Sequence, residues 1–417
     1  MLFLYKFITF ILTPVYLLIL LLRIVRNKET LISALNKCGI SNSKRSQTKL
    51  IWIHAASIGE SMISVNLVEA ITKRSPELQF LVTSCTKSSG EMLRQRLPIN
   101  ATYQAAPMDN IIAVSLFLIH WRPNLGIFVE SEIWPCLITQ TTNYCKLILV
   151  NGRISDKSFN HWKKIPTLSG KVMSHFSEIL TQSEDNFDKF SALNAKNVKN
   201  LGNLKFTNKQ LPFNKETSVH LRKIFENKKV ILAVSTYNED EEVLISTIKK
   251  LKNNNVYFIL IPRHKDHLSQ LKNQLRQIRC KFSIHSRCGT PDPKNNLYIV
   301  DAFGLVGLFC SIADITFVGG SFGPQGGHSP IEPAYFNNMI IFGPRMSNWN
   351  EIATEMVQKK YATQVHDADQ LTNAIINSIN ITDKELAEYK INLDKFIQSK
   401  KNIIDDYISI IERYINN

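Results

Sequence analysis

Short apolar runs recur along the chain and predict two series of buried β-strands. The first series covers residues 50–55, 78–84, 125–130, 145–152 and 178–183, and the second covers residues 229–236, 256–263, 296–301, 313–320 and 338–344. The runs are rich in β-branched residues and nearly continuous, which is typical of parallel strands covered on both faces. Helical patterns such as residues 61–72 and 87–95 separate them, so the alternation predicts two doubly wound α/β domains.

A break in this pattern predicts the domain boundary. Residues 203–214 carry turn formers, including Pro212, and lack a long apolar run. We therefore predict domains at residues 30–208 and 209–390, followed by a helical tail at residues 391–417 in a region periodic in Ile, Leu and Tyr. Ligands of open parallel sheets bind beyond the carboxyl ends of the strands, so two such domains facing each other predict an interdomain cleft.

The first residues predict a transmembrane helix, residues 2–25, that anchors the chain. No charge occurs from Phe7 to Leu22, but those 16 residues span only about 24 Å as a helix, against roughly 30 Å of hydrocarbon core. Lys6 can extend the span by snorkelling, and Pro14 predicts a kink that membrane helices tolerate. A cleaved signal peptide is disfavoured because no A-x-A-like site follows, and an interfacial helix because apolar residues occupy all faces.

The flanking charges predict which side of the membrane the domains occupy. Arg23, Arg26 and Lys28 follow the apolar segment, whereas Lys6 and the amino terminus precede it. The flank of a transmembrane helix that carries more positive charges faces the cytoplasm, so the large C-terminal portion is expected in the cytosol. Seven scattered cysteines without a C-x-x-C pair agree with a reducing compartment and argue against disulfides or a structural zinc site.

The charge balance narrows the choice of partners. The 50 Lys and Arg residues exceed the 35 Asp and Glu residues by 50 − 35 = 15. Such a surplus attracts nucleic acid, anionic lipid or phosphorylated substrates, although a general abundance of lysine along the chain explains it equally well. Nucleic-acid modules usually interleave basic and aromatic residues, and no such stripe occurs in the sequence. We therefore predict no nucleic-acid partner.

The polar cluster HAASIGE follows the first predicted strand and carries candidate catalytic chemistry. Its small residues let a ligand approach the backbone, and Gly59 suits a tight turn. Glu60 is a candidate general base, with a pKa that the dipole of the following helix would lower. Alternatively, Ser57 and Glu60 form only a capping box, because their spacing is S-x-x-E.

Further strand ends carry acidic and basic groups. Glu130 and Glu132 precede a Trp-Pro pair; if the strand persists they share one face, and the shared charge would raise one pKa. The alternative is the acidic first turn of a helix. Arg153 and Arg263 each follow a predicted strand and are candidate anion-binding groups. The alternatives are a surface arginine and a solvated strand exit, respectively.

A glycine-rich stretch, residues 317–334, follows a strand of the second series. It holds five of the 16 glycines of the chain within nine positions. Because it leads into a helix start, its N–H groups could face a phosphate, although a purely structural loop is the alternative. Ser329 and Pro330 fit an N-cap and first-turn pair, and Glu332 could accept hydrogen bonds from a ribose.

Several common nucleotide and hydrolase signatures are missing from the sequence. The glycine-rich stretch is neither G-x-G-x-x-G nor G-x-x-x-x-G-K-[ST], which disfavours a dinucleotide site and a P-loop. No H-E-x-x-H occurs in the chain, which argues against a zincin.

Seven segments taken together resemble the 3-deoxy-D-manno-octulosonate (Kdo) transferase family of lipopolysaccharide synthesis. In chain order they are IWIHAASIGE, FVESEIWP, LVNGRIS, GNLKF, IPRH, FVGGSF and GGHSPIEPA. The resemblance implies a GT-B fold, in which two Rossmann-like domains face a cleft, together with an N-terminal anchor. It also implies an inverting glycosyltransferase that needs neither metal nor cofactor. The donor would be CMP-Kdo, and the acceptor would be a lipid A precursor, lipid IVA. The lipids of the inner membrane would be a further partner.

The resemblance also implies roles for individual residues. Glu60 would be the general base, and Glu130 and Lys205 would stabilise the transition state. The N-terminal domain would bind the acceptor, and the C-terminal domain would bind CMP through Pro262, Arg263, Phe303, Gly304, Leu305, Ser329, Pro330, Ile331 and Glu332. Leu305 stands where the family more often has a polar residue, so we expect it to contribute through its backbone.

Two other functions fit part of the sequence. A different GT-B enzyme, using a UDP-sugar as a transferase or epimerase, would share the glycine-rich loop and the arginine at a strand end. A non-catalytic, membrane-tethered protein that binds polyanions would account for the net charge of +15. Stabilisation by UDP rather than CMP would favour the first alternative, and a failure to release CMP would favour the second.

Overall fold

Two parallel β-sheets organise the chain in the computed structural model, which describes residues 1–27, 29–207, 210–251, 255–264 and 267–416. Contacts divide the chain into a first unit, residues 1–208 with 400–417, and a second unit, residues 209–399. The predicted boundary at residues 208 and 209, and the predicted cation Lys28, lie outside the described residues.

The sheet of the first unit has seven strands in the part of the chain that is described. Their order across the sheet is β3-β2-β1-β4-β5-β6-β7, and all pairs are parallel. The strands are β1 (Leu50–His54), β2 (Gln79–Ser84), β3 (Ala101–Ala105), β4 (Leu125–Val129), β5 (Lys146–Gly152), β6 (Glu178–Thr181) and β7 (Val198–Asn200).

The sheet of the second unit also has seven strands among the residues described. Their order is β10-β11-β9-β8-β12-β13-β14, again with parallel pairing throughout. The strands are β8 (Lys229–Thr236), β9 (Val256–Pro262), β10 (Phe282–Ile284), β11 (Leu297–Ile299), β12 (Ile315–Val318), β13 (Met339–Phe342) and β14 (Ala362–Gln364).

Helices connect the strands, as parallel pairing requires. In the first part of the chain they are α1 (Leu2–Ile11), α2 (Thr13–Val25), α3 (Leu31–Lys37), α4 (Ile58–Arg74), α5 (Lys87–Arg96), α6 (Ile111–Trp121), α7 (Pro135–Thr141), α8 (Asp156–Lys163), α9 (Pro166–Met173) and α10 (Glu184–Ala192). A 3-10 helix, Leu204–Thr207, follows. The later helices are α11 (Lys215–Ile224), α12 (Asn238–Lys250), α13 (Leu268–Gln277), α14 (His285–Cys288), α15 (Val306–Cys310), α16 (Ile331–Ala334), α17 (Asn350–Gln358), α18 (Ala368–Ile379), α19 (Asp383–Lys401) and α20 (Ile403–Asn416).

Alternating side chains of each central strand enter two cores, one on each face of its sheet. In β1, Ile51 and Ile53 join one cluster, whereas Leu50 and Trp52 join the other. All five residues of β1 are buried, which explains why its sequence is an unbroken apolar run up to His54. The ten predicted strands all occur, and the alternation of strands and helices is that of two doubly wound α/β domains.

The last helix completes the core of the first unit. Helix α20 places Tyr407 and Ile411, both fully buried, in the cluster that covers β1. The hydroxyl of Tyr407 donates to the carbonyl oxygens of Gly202 at 2.9 Å and Thr181 at 3.2 Å. The predicted start of a separate tail at residue 391 is therefore wrong, because that residue lies inside α19 and the chain re-enters the first unit at residue 400.

The apolar N-terminal segment forms two helices rather than one. Helices α1 and α2 meet at a bend of 49°. Pro14 lies in the first turn of α2 and so accounts for the break. Among the described residues no single helix has the length and apolar character to cross a membrane, although this pair does when its two helices are taken together. The hydroxyl of Tyr5 donates to Asp109 at 2.7 Å, so part of the segment packs on the first unit.

We expect Tyr407→Phe to lower the free energy of unfolding by about 1–3 kcal/mol, because the carbonyl of Gly202 loses its donor while the ring still fills the core. Urea unfolding followed by tryptophan fluorescence measures the change. Tyr144→Phe is the matched control, since Tyr144 is 45% exposed and its loss should cost less than about 0.5 kcal/mol. Equal effects of the two substitutions would contradict the role given to Tyr407.

Candidate functional site

The first sheet has a reversal of strand order between β1 and β4. Ligands of open parallel sheets bind at such a point, beyond the carboxyl ends of the strands. Residues 55–60 follow β1, and residues 130–134 follow β4. The structure therefore brings the segments of Glu60 and Glu130 to the same edge of the sheet.

Glu60 lies in the first turn of α4, where hydrogen bonds hold its carboxylate. One oxygen accepts from the backbone N–H of Ala56 at 2.7 Å, and the other accepts from the hydroxyl of Ser57 at 2.9 Å. Ser57, the N-cap of α4, accepts in turn from the N–H of Glu60 at 3.4 Å. The predicted capping interaction is present in a modified form. The Glu60 carboxylate accepts from the N–H of Ala56, whereas in a standard capping box it would accept from the N–H of the N-cap residue, Ser57.

The pKa of Glu60 is raised, not lowered. Burial, together with the negative charges of Glu130 and Glu132, raises the pKa of Glu60 to about 7, against the hydrogen bonds from Ala56 and Ser57. The prediction that the helix dipole would lower this pKa is therefore wrong, because desolvation and repulsion between like charges outweigh it. A carboxyl group that titrates near neutral pH can accept a proton from a substrate hydroxyl and release it again.

Gly59 does not form the predicted tight turn. It lies in the first turn of α4, and it is not among the glycines with positive φ. A methyl group added at this position would meet no atom within 4 Å. The residue therefore leaves open space beside Glu60, which suits the approach of a ligand.

Glu130 and Lys205, which the sequence places 75 positions apart, form an ion pair. The Lys205 ammonium lies 3.0 Å from a carboxylate oxygen of Glu130, and the side-chain amide of Asn151 donates to the same oxygen at 3.2 Å. Glu130 and Asn151 adopt left-handed backbone conformations, with φ of 60° and 53°. Such conformations cost about 1–3 kcal/mol each in residues other than glycine and concentrate at functional sites.

Glu132 has a separate set of partners. One oxygen accepts from the indole N–H of Trp134 at 2.6 Å and lies 3.1 Å from Nε2 of His54. Burial opposes ionisation, but the contacts with His54 and Trp134 lower the pKa of Glu132 below its ordinary value. The expected sharing of charge between Glu130 and Glu132 on one strand face is thus wrong: β4 ends at Val129, and the carboxyl with the raised pKa is Glu60.

His54 and Glu132 also belong to a cluster of potential metal ligands. Ligand atoms of His54, Cys85 and Glu132 lie within 4.8 Å of one another. Burial and the charges of Glu132 and Glu60 raise the pKa of the Cys85 thiol to about 12, so the thiol is protonated at neutral pH. A metal ion would have to displace this proton and the hydrogen bonds of Glu132. The predicted independence of metal therefore stays a prediction.

Arg153 lies just past β5 at the same edge of the sheet. Its backbone N–H donates to the carbonyl of Glu130 at 3.3 Å, and its side chain lines a cavity beside Trp134. The side chain is half-buried rather than fully exposed. This position is consistent with the predicted anion-binding role.

The second unit has its own reversal of strand order, between β8 and β12. A small cavity of about 60 Å³ lies beyond the ends of β8, β9 and β11. Four of the predicted CMP contacts line it: Pro262, Arg263, Phe303 and Gly304. Gly304 has a φ of 82°, which favours glycine at this position, and Leu305 follows as the N-cap of α15.

The remaining predicted CMP contacts, Ser329, Pro330, Ile331 and Glu332, surround the start of α16. Ser329 is not the N-cap as predicted: Pro330 occupies that position, and the helix begins at Ile331. The hydroxyl of Ser329 is buried, and none of the residues that the structure describes forms a hydrogen bond with it. Burial raises the pKa of Glu332 to about 7, while the positive charge of Arg263 opposes the shift.

The glycine-rich loop directs part of its backbone toward a protein carboxylate rather than toward open space. The N–H groups of Gly320, Ser321 and Phe322 donate to the carboxylate of Asp240 at 2.6, 3.2 and 3.0 Å. Asp240 is fully buried, and burial raises its pKa. The predicted phosphate-binding role is thus wrong for these three N–H groups, because a protein carboxylate already occupies them.

Two aromatic residues near this loop were missed by the sequence analysis. The rings of Tyr237 and His328 stack with centroids 5.8 Å apart. Burial and the positive charges of Arg263 and His264 lower the pKa of His328 to about 4, so the ring is neutral. Its Nε2 atom is buried, with no hydrogen-bond partner in the part of the chain that the structure describes. The histidine next to Ser329 in GGHSPIEPA was the available signal.

Comparisons with known proteins agree with this architecture. A family model described as 3-deoxy-D-manno-octulosonic-acid transferase (kdotransferase) matches residues 33–208. A 3-deoxy-D-manno-octulosonic acid transferase of Rickettsia bellii (strain RML369-C) is 43% identical over 99% of this chain and 99% of its own length. The Haemophilus influenzae (strain ATCC 51907 / DSM 11121 / KW20 / Rd) enzyme of the same name is 27% identical over 79% of each chain.

Solved structures of low sequence identity share the fold. A glycosyltransferase from Rickettsia africae ESF-5 has a TM-score of 0.61 at 14% identity and covers 89% of this chain and 100% of its own. UDP-GlcNAc 2-epimerase from Neisseria meningitidis has a TM-score of 0.59 at 13% identity, covering 88% and 100%. The two parallel-sheet α/β domains thus resemble those of GT-B glycosyltransferases, and at full-length identity of 43% the chain belongs to the 3-deoxy-D-manno-octulosonic acid transferase family.

Proposed function

We propose that the protein transfers Kdo from CMP-Kdo to a lipid A precursor, lipid IVA, with inversion at the anomeric carbon and with Glu60 as the general base. Family membership supports Kdo transfer in lipopolysaccharide synthesis. The single observation that carries the catalytic assignment is the carboxyl of Glu60, whose pKa is about 7 and which borders open space at Gly59.

The proposed reaction needs one proton acceptor. Glu60 takes the proton of the acceptor hydroxyl, whose oxygen forms a bond to the anomeric carbon of Kdo. The bond from that carbon to the phosphate oxygen breaks, and CMP leaves with the electron pair. A base of this kind contributes about 10²- to 10⁴-fold to the rate, and it works best when its pKa is near the working pH.

The ion pair of Glu130 and Lys205 is proposed to stabilise the transition state. The sugar gains positive character as CMP departs, and the phosphate gains negative charge. A carboxylate and an ammonium group 3.0 Å apart offer one group of each sign, and fixed groups of this kind contribute about 3 kcal/mol each. The side-chain amide of Asn151 donates to Glu130 at 3.2 Å, and the backbone N–H of Lys205 donates to Oδ1 of Asn203 at 2.9 Å, so both residues are held in place before the substrate arrives.

We propose that the second unit binds CMP-Kdo. Arg263 is exposed at the end of β9 and can bind phosphate through two parallel hydrogen bonds. The buried hydroxyl of Ser329 has no hydrogen-bond partner among the described residues, and a nucleotide group could satisfy it. Gly304 and Leu305 would contribute backbone groups, and Glu332 would accept from a ribose hydroxyl. Arg263 supplies positive charge for the leaving phosphate, so the proposal requires no metal.

We also propose that α1 and α2 attach the protein to the inner membrane, with both units on the cytoplasmic face. Large apolar side chains such as Phe3, Leu18 and Leu21 are more than half exposed on these helices. Arg23 and Arg26 follow them, which favours the cytoplasm for the rest of the chain. The net charge of +15 adds attraction to anionic lipid, at about 1 kcal/mol for each cation near the surface.

Glu60→Gln should reduce Kdo transfer by at least about 10²-fold, because the amide cannot accept the proton. Release of CMP from CMP-Kdo with lipid IVA measures the rate. Thermal stabilisation by CMP, but not by UDP, should persist in the variant and shows that it folds. Wild-type turnover would remove Glu60 from the base role, and stabilisation by UDP alone would favour a UDP-sugar enzyme.

The rate of transfer should fall below a pH of about 7, because Glu60 must be ionised to act and its pKa is raised to about 7. In Glu130→Gln the acidic limb of the kcat/KM profile should move to lower pH, since the substitution removes a negative charge that raises the pKa of Glu60. The pH profile separates this electrostatic effect from a simple loss of rate. An unchanged limb would contradict the coupling between the two carboxyl groups.

Gly59→Ala should raise the free energy of unfolding by up to about 1 kcal/mol, because alanine is the better helix former. It should also lower kcat/KM for transfer by about 10-fold or more, since the methyl group displaces the acceptor hydroxyl from Glu60. Gly170→Ala in α9 is the matched control, because its new methyl group has ordinary contacts at 3.6 Å and lies outside the proposed site. Full activity of Gly59→Ala would contradict the proposal that the acceptor reaches Glu60 through the open space at Gly59.

A further inference from the structure

The cavity of the first unit that Arg153 lines lies beside the segment of the proposed catalytic carboxylates. It is about 240 Å³ in volume and lies between the ends of β4 and β5 and the helix α8. Two indole rings, three hydroxyl groups and one guanidinium line it: Trp134, Trp162, Ser131, Ser155, Ser158 and Arg153. Sites for drug-sized ligands measure roughly 300–1,000 Å³, so this cavity suits one ring and its substituent.

Hydrogen bonds connect the walls of the cavity to the catalytic segment. The hydroxyl of Ser131 donates to the carbonyl of Arg153 at 2.9 Å, and the N–H of Arg153 donates to the carbonyl of Glu130 at 3.3 Å. The indole N–H of Trp134 donates to Glu132 at 2.6 Å, which fixes a ring that is 41% exposed. A ligand in the cavity would therefore lie at a defined distance from the Glu130 and Glu132 side chains.

The chemistry of the lining selects a class of ligand. Indole rings offer flat apolar surface with little conformational entropy to lose, which suits the face of a sugar ring. The hydroxyls of Ser155 and Ser158 can exchange hydrogen bonds with sugar hydroxyls, and they already lie 3.1 Å apart. A guanidinium binds phosphate through two parallel hydrogen bonds.

The basic residues of α8, the helix that borders the cavity, favour an anion. Lys157, Lys163 and Lys164 lie on or directly after α8. The acidic neighbour at the start of that helix, Asp156, is bound by Lys189 at 2.7 Å. The carboxylates behind the cavity have partners of their own, since Glu130 pairs with Lys205 and Glu132 with His54 and Trp134.

We propose that this cavity binds a phosphorylated sugar of the acceptor, with Arg153 on the phosphate and Trp134 and Trp162 against the ring. The inference rests on the proposed function, because it supplies the recognition of the substrate whose hydroxyl Glu60 would deprotonate. The apolar chains of the lipid would stay outside a cavity of about 240 Å³. Arg153 thereby becomes a determinant of acceptor affinity rather than of the chemical step.

The test compares acceptors with and without phosphate in the full-length protein. The KM for a bis-phosphorylated acceptor and for its dephosphorylated analogue is measured for the wild type, Arg153→Ala and Arg153→Lys, together with the KM for CMP-Kdo. A hydrogen-bonded charge pair is worth about 1.5–3 kcal/mol, so the wild type should prefer the phosphorylated acceptor by about 10- to 100-fold. Arg153→Ala should lose this preference, and Arg153→Lys should keep part of it. The links of residue 153 to Ser131 and Glu130 are through the main chain and survive both substitutions.

Arg96→Ala is the matched control. It removes the same charge from the end of α5, at the opposite edge of the sheet, and should leave both KM values unchanged. Thermal stabilisation by CMP shows that each variant is folded, and Trp162→Ala, which should raise the KM of both acceptors equally, tests the cavity independently of charge. A phosphate preference that persists in Arg153→Ala would overturn the proposal. A rise confined to the KM for CMP-Kdo would assign Arg153 to the carboxylate of the donor sugar instead.

The proposal can fail separately from the proposed function. If the wild type transfers Kdo but Arg153→Ala keeps the phosphate preference, only the cavity assignment is wrong. If the wild type shows no transfer, the proposed function is wrong. Thermal-shift measurements with sugar ligands then test whether the cavity binds a phosphorylated sugar. Stabilisation by a glucosamine phosphate that exceeds that of glucosamine or inorganic phosphate, and that Arg153→Ala abolishes, would still support the cavity. Equal shifts in wild type and variant would overturn it.

Discussion

Repulsion among three carboxylates at one sheet edge is the constraint on which the proposed chemistry depends. Glu130 has the ammonium group of Lys205 at 3.0 Å, and Glu132 has His54 and Trp134 as partners. Among the described residues, the carboxylate of Glu60 accepts from the backbone N–H of Ala56 and from the hydroxyl of Ser57. Burial, together with the negative charges of Glu130 and Glu132, raises the pKa of Glu60 to about 7. This raised pKa allows Glu60 to act as the proposed proton acceptor near neutral pH.

The interior of both sheets could be predicted from the sequence, but their edges could not. The ten predicted strands are found in the structure, whereas β3, β7, β10 and β14 were missed. These four are the outermost strands of the two sheets. An edge strand is covered less completely, so it keeps polar and exposed residues such as the ATYQA sequence of β3 and lacks an unbroken apolar run. The helical tail was predicted, but its return to the first unit depends on long-range packing of residues such as Tyr407.

The candidate site shows the same division between local and long-range information. Spacing in the sequence was enough to find Glu60 and its capping interaction with Ser57. The direction of its pKa depends on Glu130 and Glu132, which lie far away in the sequence, so local reasoning from the helix dipole gave the wrong sign. Asp240 was missed because its acidic surroundings suggest a solvated helix start, although the structure buries it under the backbone of residues 320–322. Family resemblance supplied Lys205, for which no local pattern exists.

The docking of α20 into the first unit affects how the chain can be made. The hydroxyl of Tyr407 reaches the carbonyl of Thr181 across 226 positions of sequence. During synthesis on the ribosome, the apolar surface of the first unit near β1 therefore stays uncovered until the entire second unit and α20 have been made. A nascent chain that stalls or terminates early would expose that surface to chaperones and proteases. The N-terminal half is therefore protected from degradation only after α20 has been made and has docked.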